Sequence, residues 1–179
     1  MIARDGRCIH VLVMGVAGSG KSTVAAALSD RLGLDMIEGD ALHPAANVEK
    51  MRNGIPLTDD DRRPWLESLA SLLADRHSQG RGTVLACSAL RHSYRDTLRA
   101  AVPAGQTYII ELDVDRSTLR ARLADRTGHF MPVSLLDSQV ATLEPLADDE
   151  FGVAVDGSAP LDVVISTACR AIDAWSADL

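Results

Sequence analysis

The segment GVAGSGKS, at residues 15–22, constrains this chain more than any other. Gly15, Gly20, Lys21 and Ser22 satisfy the pattern G-x-x-x-x-G-K-[ST], between a short apolar run and an alanine-rich helical stretch. In that context the glycines let the backbone curl with its N–H groups pointing inward, and the helix N-terminus adds partial positive charge. The segment therefore predicts a phosphate-binding loop rather than a plain glycine turn.

The residue types of this loop also assign roles within it. Lys21 is expected to reach the β- and γ-phosphates of a nucleotide, and the Ser22 hydroxyl to bind Mg²⁺. The predicted nucleotide contacts of the loop are Gly15, Val16, Ala17, Gly18, Ser19, Gly20, Lys21, Ser22 and Thr23. Alone, the loop does not separate kinases from GTPases or motor ATPases.

Five short apolar runs alternate with segments of helical spacing. The runs lie at residues 9–14, 36–38, 83–87, 107–112 and 152–155. Alternation of this kind predicts βαβ units, and hence an α/β fold with a central five-stranded parallel sheet between two helical layers. We expect one domain over residues 1–179. Segments that fit the alternation poorly predict a substrate subdomain at about 43–66 and a lid at about 122–136.

Charge and hydropathy limit the partners of the chain. The formal net charge is −7, from 25 acidic and 18 basic residues, which argues against a general nucleic-acid binder. No apolar run approaches the roughly 20 residues that cross a bilayer. The three cysteines form neither a disulfide framework nor a zinc pattern, and the N-terminus shows no secretory signal. We therefore expect a cytoplasmic protein without membrane contact.

Asp40 and His43 follow the second predicted strand, in the sequence GDALHP. Side chains at the carboxyl ends of strands face the ligand crevice of an open α/β sheet. Asp40 could orient an acceptor hydroxyl, accept its proton or hold a Mg²⁺-bound water, and the alternative is an N-cap of the next helix. His43 could donate a hydrogen bond to the acceptor, and it could equally be a surface turn residue.

The third predicted strand ends in Cys87-Ser88, where motor ATPases and switch GTPases place a Mg²⁺-binding aspartate. This difference, together with the lack of an N-K-x-D motif, favours a small-molecule kinase. Cys87 is predicted to be a buried small residue rather than a nucleophile. Upstream, Thr58 or one of the aspartates that follow it is expected to cap a helix that begins near Arg62 or Pro64, and Trp65 is expected to anchor this segment to the core.

Four arginines fall within eleven residues, just before and at the start of the predicted lid. Arg122 and Arg126 share a helix face, so one can stack on adenine while the other neutralises phosphate oxygens. The alternative is a basic surface helix paired with neighbouring aspartates. The four arginines are Arg116, Arg120, Arg122 and Arg126.

Taken in order, several segments resemble the gluconokinase family, the ATP-dependent kinases of D-gluconate. They are GVAGSGKS, GDALHP, NVEKM, PLTDDDRRPWL, CSALRHSYRDTLR, RTGHFMPVSLLDSQVATLE and VDGSAPLDVV, and they extend from Val11 to near Ile172. The resemblance implies a nucleoside-monophosphate-kinase-like P-loop fold. It also implies Mg²⁺-dependent transfer of the ATP γ-phosphate to the gluconate 6-hydroxyl, giving 6-phosphogluconate for the pentose phosphate and related routes. Family members are commonly homodimers.

The resemblance also implies roles for individual residues. Lys21, Asp40 and Arg126 become the catalytic groups, with Asp40 as the base or acceptor-orienting carboxylate. The residues implied to hold the substrate are Asp40, His43, Arg62, Ser88 and Arg95. The residues implied to surround the nucleotide, besides the phosphate loop, are Arg122, Arg126, Asp156 and Pro160. The adjacent Arg62 and Arg63 leave open which of the two points into the site.

Two rival functions are less well supported by the sequence. A shikimate kinase would show Asp-x-Asp at the second strand and a glycine run after the third, where this chain has Gly39-Asp40 and Cys87-Ser88. A nucleotide-binding protein without turnover would lack Lys21, Asp40 or the lid arginines, and all are present.

Overall fold

Five strands form one parallel sheet in the order β2-β3-β1-β4-β5. The computed structural model describes residues 8–124 and 135–177. The strands are β1 (His10–Met14), β2 (Asp35–Glu38), β3 (Thr83–Ala86), β4 (Thr107–Asp113) and β5 (Gly152–Asp156). The helices are α1 (Lys21–Leu32), α2 (Ala45–Arg52), α3 (Asp59–Ser78), α4 (His92–Arg99), α5 (Arg116–Ala124), α6 (Leu136–Thr142) and α7 (Leu161–Ala177), with a 3₁₀ turn at Gly39–Leu42. The α/β fold with a five-stranded parallel sheet is confirmed.

Side chains of the central strand β1 alternate between two hydrophobic cores. Val11 and Val13 pack with α1 and α7 on one face of the sheet. Leu12 and Met14 pack with α3 and α4 on the other. Successive side chains of a strand point to opposite faces, so a strand with helices on both sides buries all of its side chains. Every residue of β1 is buried. The predicted three-layer arrangement is confirmed.

Helix α3 begins earlier than the sequence analysis places it. Thr58 is its N-cap, with the Thr58 hydroxyl accepting from the Asp61 N–H and the Asp61 carboxylate accepting from the Thr58 N–H. This reciprocal capping box fixes the first turn at Asp59. The helix then continues through Pro64. The predicted cap at Thr58 is confirmed, and a start near Arg62 or Pro64 is wrong by a turn.

Within the described parts of the chain, none of the helices has both the length and the apolar character needed to span a bilayer.

Candidate active site

The phosphate loop joins the end of β1 to the start of α1. Gly15 has φ +143°, and a Cβ there would lie 2.8 Å from Ser19 Oγ and 3.1 Å from the Leu112 carbonyl. Glycine is therefore required where the loop leaves the sheet. Gly20, with φ +97°, is the N-cap of α1, whose first N–H groups have no acceptor inside the helix. The loop thus has the backbone curvature and the helix N-terminus that an anion nest needs.

Lys21 lies at the first position of α1 and is largely buried. Its Nζ donates to the Val16 carbonyl at 3.1 Å, which folds the side chain back over the loop. Ser22 and Thr23 follow on the first turn of the helix and are exposed. The loop therefore presents one ammonium group and two hydroxyls at the same helix end.

A cleft of about 900 Å³, counted to its open mouth, lies over the phosphate loop. Of the residues that the sequence singles out, the cleft brings together Ala17, Gly18, Gly20, Lys21, Ser22, Asp40, His43, Arg62 and Ser88. Phosphate-binding groups and the proposed acceptor groups therefore line one space.

Asp40 is placed by the 3₁₀ turn that leaves β2. Neither this turn, capped by Glu38, nor α2, capped by Pro44, uses Asp40 as its N-cap, so the capping alternative is wrong. The turn passes close to β3: a Cβ on Gly39 would lie 2.6 Å from the Ala86 carbonyl. Because Gly39 has no Cβ, the turn can pass close to β3 and place the Asp40 carboxylate in the cleft at the carboxyl ends of the strands.

Trp65 fixes the position of this turn. Its indole Nε1–H donates to the Gly39 carbonyl at 2.8 Å, and its ring stacks on His43 with centroids 4.0 Å apart and planes 16° from parallel. Trp65 is only 1% exposed. The predicted anchoring role of Trp65 is confirmed, and its contacts are with Gly39 and His43 in the segment that follows β2.

His43 is an imidazole held neutral inside the cleft wall. Burial lowers the pKa of His43 to about 4, with the Asp40 carboxylate acting to raise it and Arg62 to lower it. Its Nδ1 is buried and has no hydrogen-bond partner in the described structure. A buried polar atom without a partner is unfavourable, so this nitrogen is suited to a hydrogen bond with a bound ligand.

Arg62, and not Arg63, points into the cleft. The Arg62 guanidinium donates to the Leu57 carbonyl at 2.5 Å and to Tyr94 Oη at 3.5 Å, and its side chain is 13% exposed. Arg63 is 67% exposed and pairs with Asp60 at 2.6 Å. The sequence leaves open which of the two arginines points into the site, and in the structure it is Arg62 that lines the cleft.

A hydrogen-bonded group behind Arg62 restricts its orientation. Tyr94 Oη donates to the Asp59 carboxylate, which also accepts from Arg91 at 2.7 Å. The Arg62 guanidinium lies 5.7 Å from the centre of the Tyr94 ring and 4.0 Å from Asp59. Helix α3 and the start of α4 therefore hold this arginine from two sides, which limits the entropy lost when it binds an anion.

The assignment of Arg95 to the substrate is wrong. Its side chain is completely buried, and its guanidinium donates to both carboxylate oxygens of Glu150 at 2.7 Å. The remaining donors reach the carbonyls of Ala89, Glu144 and Pro145. With its donors engaged inside the protein, Arg95 joins α4 to the segment before β5 and does not reach the cleft.

Arg122 lies between the phosphate loop and the turn after β5. Its guanidinium donates to the Gly157 carbonyl at 3.0 Å and contacts the Ser19 carbonyl at 3.5 Å. Asp156 lines a separate recess on the surface, where it accepts from the Ser158 N–H at 2.8 Å. Pro160 precedes α7 and accepts the first backbone hydrogen bonds of that helix.

Arg116 and Arg120 fit the alternative of a basic surface helix. Arg116 and Arg120 both pair with Asp137 of α6, so the surface-helix alternative describes them, with Asp137 as the partner rather than Asp115. Asp115 instead accepts from the Thr118 N–H at the start of α5. Arg126 lies outside the described residues.

Cys87 is fully buried, and burial raises the pKa of its thiol well above the ordinary value. Its predicted role as an inert core residue is confirmed.

Comparison with known proteins identifies the family of this chain. The family model described as an AAA domain matches residues 11–146. The gluconokinase of Gluconobacter oxydans (strain 621H) is 52% identical to this chain over 163 residues, which cover 89% of each protein. The chain belongs to the gluconokinase family.

Solved structures agree with this membership. The crystal structure of a gluconokinase from Sinorhizobium meliloti 1021 has a TM-score of 0.85 and 45% identity, and covers 95% of this chain and 94% of its own. The shikimate kinase of Aquifex aeolicus vf5 has a TM-score of 0.58 at 14% identity, over 93% and 97% of the two chains. The second likeness concerns the fold alone, and it agrees with the predicted P-loop kinase fold.

Gln139 belongs to a segment that suggests the gluconokinase family, yet its position in the site is visible only in the structure. Its Oε1 accepts from the Ala17 N–H of the phosphate loop at 2.7 Å, and it lines the cleft beside Ser138. The segment SLLDSQ carries the only sequence signal for this contact. The sequence separation of 122 positions conceals this contact, because helical spacing does not say which loop a helix meets.

Proposed function

We propose that this chain is an ATP-dependent gluconokinase that transfers the γ-phosphate of ATP to the 6-hydroxyl of D-gluconate, giving 6-phospho-D-gluconate and ADP. The observation that supports this most strongly is the shared cleft. Lys21 and Ser22 of the phosphate loop face the same space as Asp40, His43 and Arg62. Membership of the gluconokinase family supports gluconate as the acceptor.

In the reaction that we propose, the acceptor oxygen forms a bond to the γ-phosphorus while the bond from that phosphorus to the β–γ bridging oxygen breaks. Asp40 accepts the proton of the attacking hydroxyl. Lys21 turns from the Val16 carbonyl to the phosphates, and Arg122 and Arg126 complete the nucleotide site from the lid.

The acceptor groups match the chemistry of a sugar acid. Arg62 offers a planar pair of donors to a carboxylate, in the orientation imposed by Tyr94 and Asp59. The buried Nδ1 of His43 and the Ser88 hydroxyl offer hydrogen bonds to hydroxyl groups. Arg95 takes no part in this arrangement.

The residues of the cleft also fit Mg²⁺. The Ser22 hydroxyl and the Asp40 carboxylate are oxygen ligands, the type that this ion prefers, and both line the cleft. When bound, Mg²⁺ neutralises charge on the nucleotide phosphates.

The broader setting is proposed on the same basis. The chain would be one kinase domain with an acceptor-binding part at about residues 43–66 and a lid at about 122–136. It would act as a cytoplasmic homodimer that supplies 6-phosphogluconate to the pentose phosphate route, without nucleic-acid partners. Light scattering on the purified protein tests the dimer directly.

The experiment that tests the activity is a coupled assay of ADP release with gluconate, shikimate and other sugar acids. We expect gluconate to be preferred, and the absence of gluconate-dependent ADP release above background would refute the proposal. Lys21→Ala should abolish transfer while the circular dichroism spectrum stays unchanged.

Asp40→Asn tests the acceptor side. We expect kcat to fall by about 10²–10⁴-fold, the range for loss of a general base, with little change in ATP affinity. Asp60→Asn is the matched control, because Asp60 is an exposed acid that pairs only with Arg63 among the described residues. An unchanged kcat in Asp40→Asn would remove Asp40 from the catalytic groups.

A further inference from the structure

A cysteine and two histidines meet at the end of the sheet opposite to the phosphate loop. Cys8 directly precedes β1, His10 is its first residue, and His77 lies in the last turn of α3. We call these three residues the Cys8–His10–His77 cluster. The five residues of β1 span roughly 15 Å, so the cluster is well separated from the phosphate loop. None of its members lines the catalytic cleft.

Two separations between the three donor atoms match the edges of a metal tetrahedron. His10 Nε2 lies 3.2 Å from His77 Nδ1 and 3.7 Å from Cys8 Sγ, and the three atoms are within 4.8 Å of one another. With Zn–N bonds of about 2.0 Å and Zn–S bonds of about 2.3 Å, tetrahedral edges are about 3.3 Å between nitrogens and about 3.6 Å between nitrogen and sulfur.

The second nitrogen of His10 is held in the way that metal-binding histidines usually are. His10 Nδ1 is 2.9 Å from the Thr83 hydroxyl, and both residues are buried. They are register partners on the paired strands β1 and β3. This contact fixes the plane of the His10 ring and aims Nε2 at the other two donor atoms.

Hydrogen bonding alone accounts poorly for the cluster. His10 Nε2 has either one hydrogen or one lone pair, yet it faces both a thiol sulfur and a second ring nitrogen. In either tautomer, the one hydrogen or one lone pair of Nε2 lies in the ring plane and cannot serve two partners in different directions well. A cation between the three atoms would satisfy all of them at once.

We propose that the Cys8–His10–His77 cluster is a structural site for a thiophilic divalent transition-metal ion of the Zn²⁺ type. The ligands are the Cys8 thiolate, His10 Nε2 and His77 Nδ1, with water in the fourth position. The Cys8 thiol releases its proton to solvent when the metal binds. Mg²⁺, which requires oxygen ligands, is not bound there, so this site differs from the catalytic one in its chemistry. The bound ion would tie the start of β1 to the end of α3.

The test is metal titration of the purified protein after treatment with chelator and its removal. Co²⁺ is added first, because tetrahedral cobalt bound to a thiolate gives visible bands and a sulfur-to-metal charge-transfer band. Zn²⁺ is then titrated against a chromophoric chelator. We expect one equivalent per chain, with a dissociation constant below about 10 µM.

The variants are chosen to separate ligands from neighbours. Cys8→Ser and His77→Gln should each weaken Zn²⁺ binding by at least about 100-fold, and Thr83→Val by about 10-fold through loss of the ring-orienting contact. His92→Gln is the matched control, because His92 lies in a different cluster with Asp96 and Asp149 and should leave Zn²⁺ binding unchanged.

A thiol measurement gives an independent readout. Cys8 is partly exposed, whereas Cys87 and Cys169 are buried, so alkylation of the folded protein reports on Cys8. We expect Zn²⁺ to protect this thiol from alkylation. A dissociation constant above about 10 µM, or equal Zn²⁺ affinity in folded Cys8→Ser, would overturn the proposal.

Discussion

Arg95→Met is expected to destabilise the protein strongly while leaving substrate affinity unchanged. The substitution keeps most of the side-chain volume but removes five hydrogen bonds, two of them to Glu150 at 2.7 Å. Both side chains are fully buried. Removing one partner of such a pair leaves a buried charge, at a cost of about 3–5 kcal/mol. Because the Ala147 N–H still donates to Glu150, we expect about 4 kcal/mol.

The measurements are urea unfolding followed by circular dichroism, and thermal unfolding. For a domain of this size, 1 kcal/mol shifts Tm by roughly 2–4 °C, so Tm should fall by about 8–16 °C. Adding Glu150→Leu to Arg95→Met should recover much of the loss, because no buried charge then remains. Arg63→Met is the control: its side chain is 67% exposed and pairs with the exposed Asp60 at 2.6 Å, so it should cost at most about 1 kcal/mol.

Acid should reduce the difference between the wild type and Arg95→Met. Burial alone would raise the pKa of Glu150, but the hydrogen bonds from Arg95 and the Ala147 N–H, with the Arg95 charge, lower it overall. A carboxyl group with a lowered pKa stabilises the fold above its unfolded pKa of about 4.3, and this contribution is lost as the pH falls through the folded pKa. A loss of stability below about 1 kcal/mol would refute the structural role of Arg95. A KM for gluconate raised about tenfold in a folded variant would refute its absence from the substrate site.

Two further predictions concern the acceptor side of the cleft. Thr58→Ala removes the capping box of α3 and should lower the free energy of unfolding by about 1 kcal/mol in urea titrations, whereas Ser68→Ala on the same helix should have a smaller effect. His43 should remain neutral in the folded protein down to about pH 4 by NMR. Since an unfolded histidine binds a proton near pH 6.5, stability should fall as the pH drops from 6.5 towards 4, by up to about 1.4 kcal/mol per unit. Titration of folded His43 near pH 6.5 would contradict its burial against Trp65.

Several features of the fold and the site could be predicted from sequence because they depend on neighbouring residues. The phosphate loop is one, since its glycines, lysine and helix start lie within eight positions. The strands are another, because apolar runs of three to six residues between helical segments mark strands covered on both faces. The cap of α3 at Thr58 is also a local signal, but the sequence places the start of the helix about a turn too late.

The failures and the open choices involve partners that are far apart in the chain. Arg95 was assigned to the substrate because its motif only indicates a basic residue, while Glu150 lies 55 positions away. Arg62 and Arg63 are indistinguishable in sequence, and they differ because Tyr94 of α4 packs beside only the first. Trp65 is one of two tryptophans in the chain, and this predicts an anchoring role. Its stacking on His43 depends on how α3 packs against the segment after β2, which the sequence does not show.

The sequence by itself therefore determined the phosphate loop, the α/β architecture and the family, all of which rest on local backbone preferences and on the order of motifs. Only the tertiary structure decided which charged side chains face the cleft and which are neutralised inside the protein. The physical reason is that a guanidinium or imidazole can bind a ligand only if the fold leaves it without a stronger partner. That partner is chosen by packing between helices and strands, as with Arg95 and Glu150, and not by neighbours in the chain.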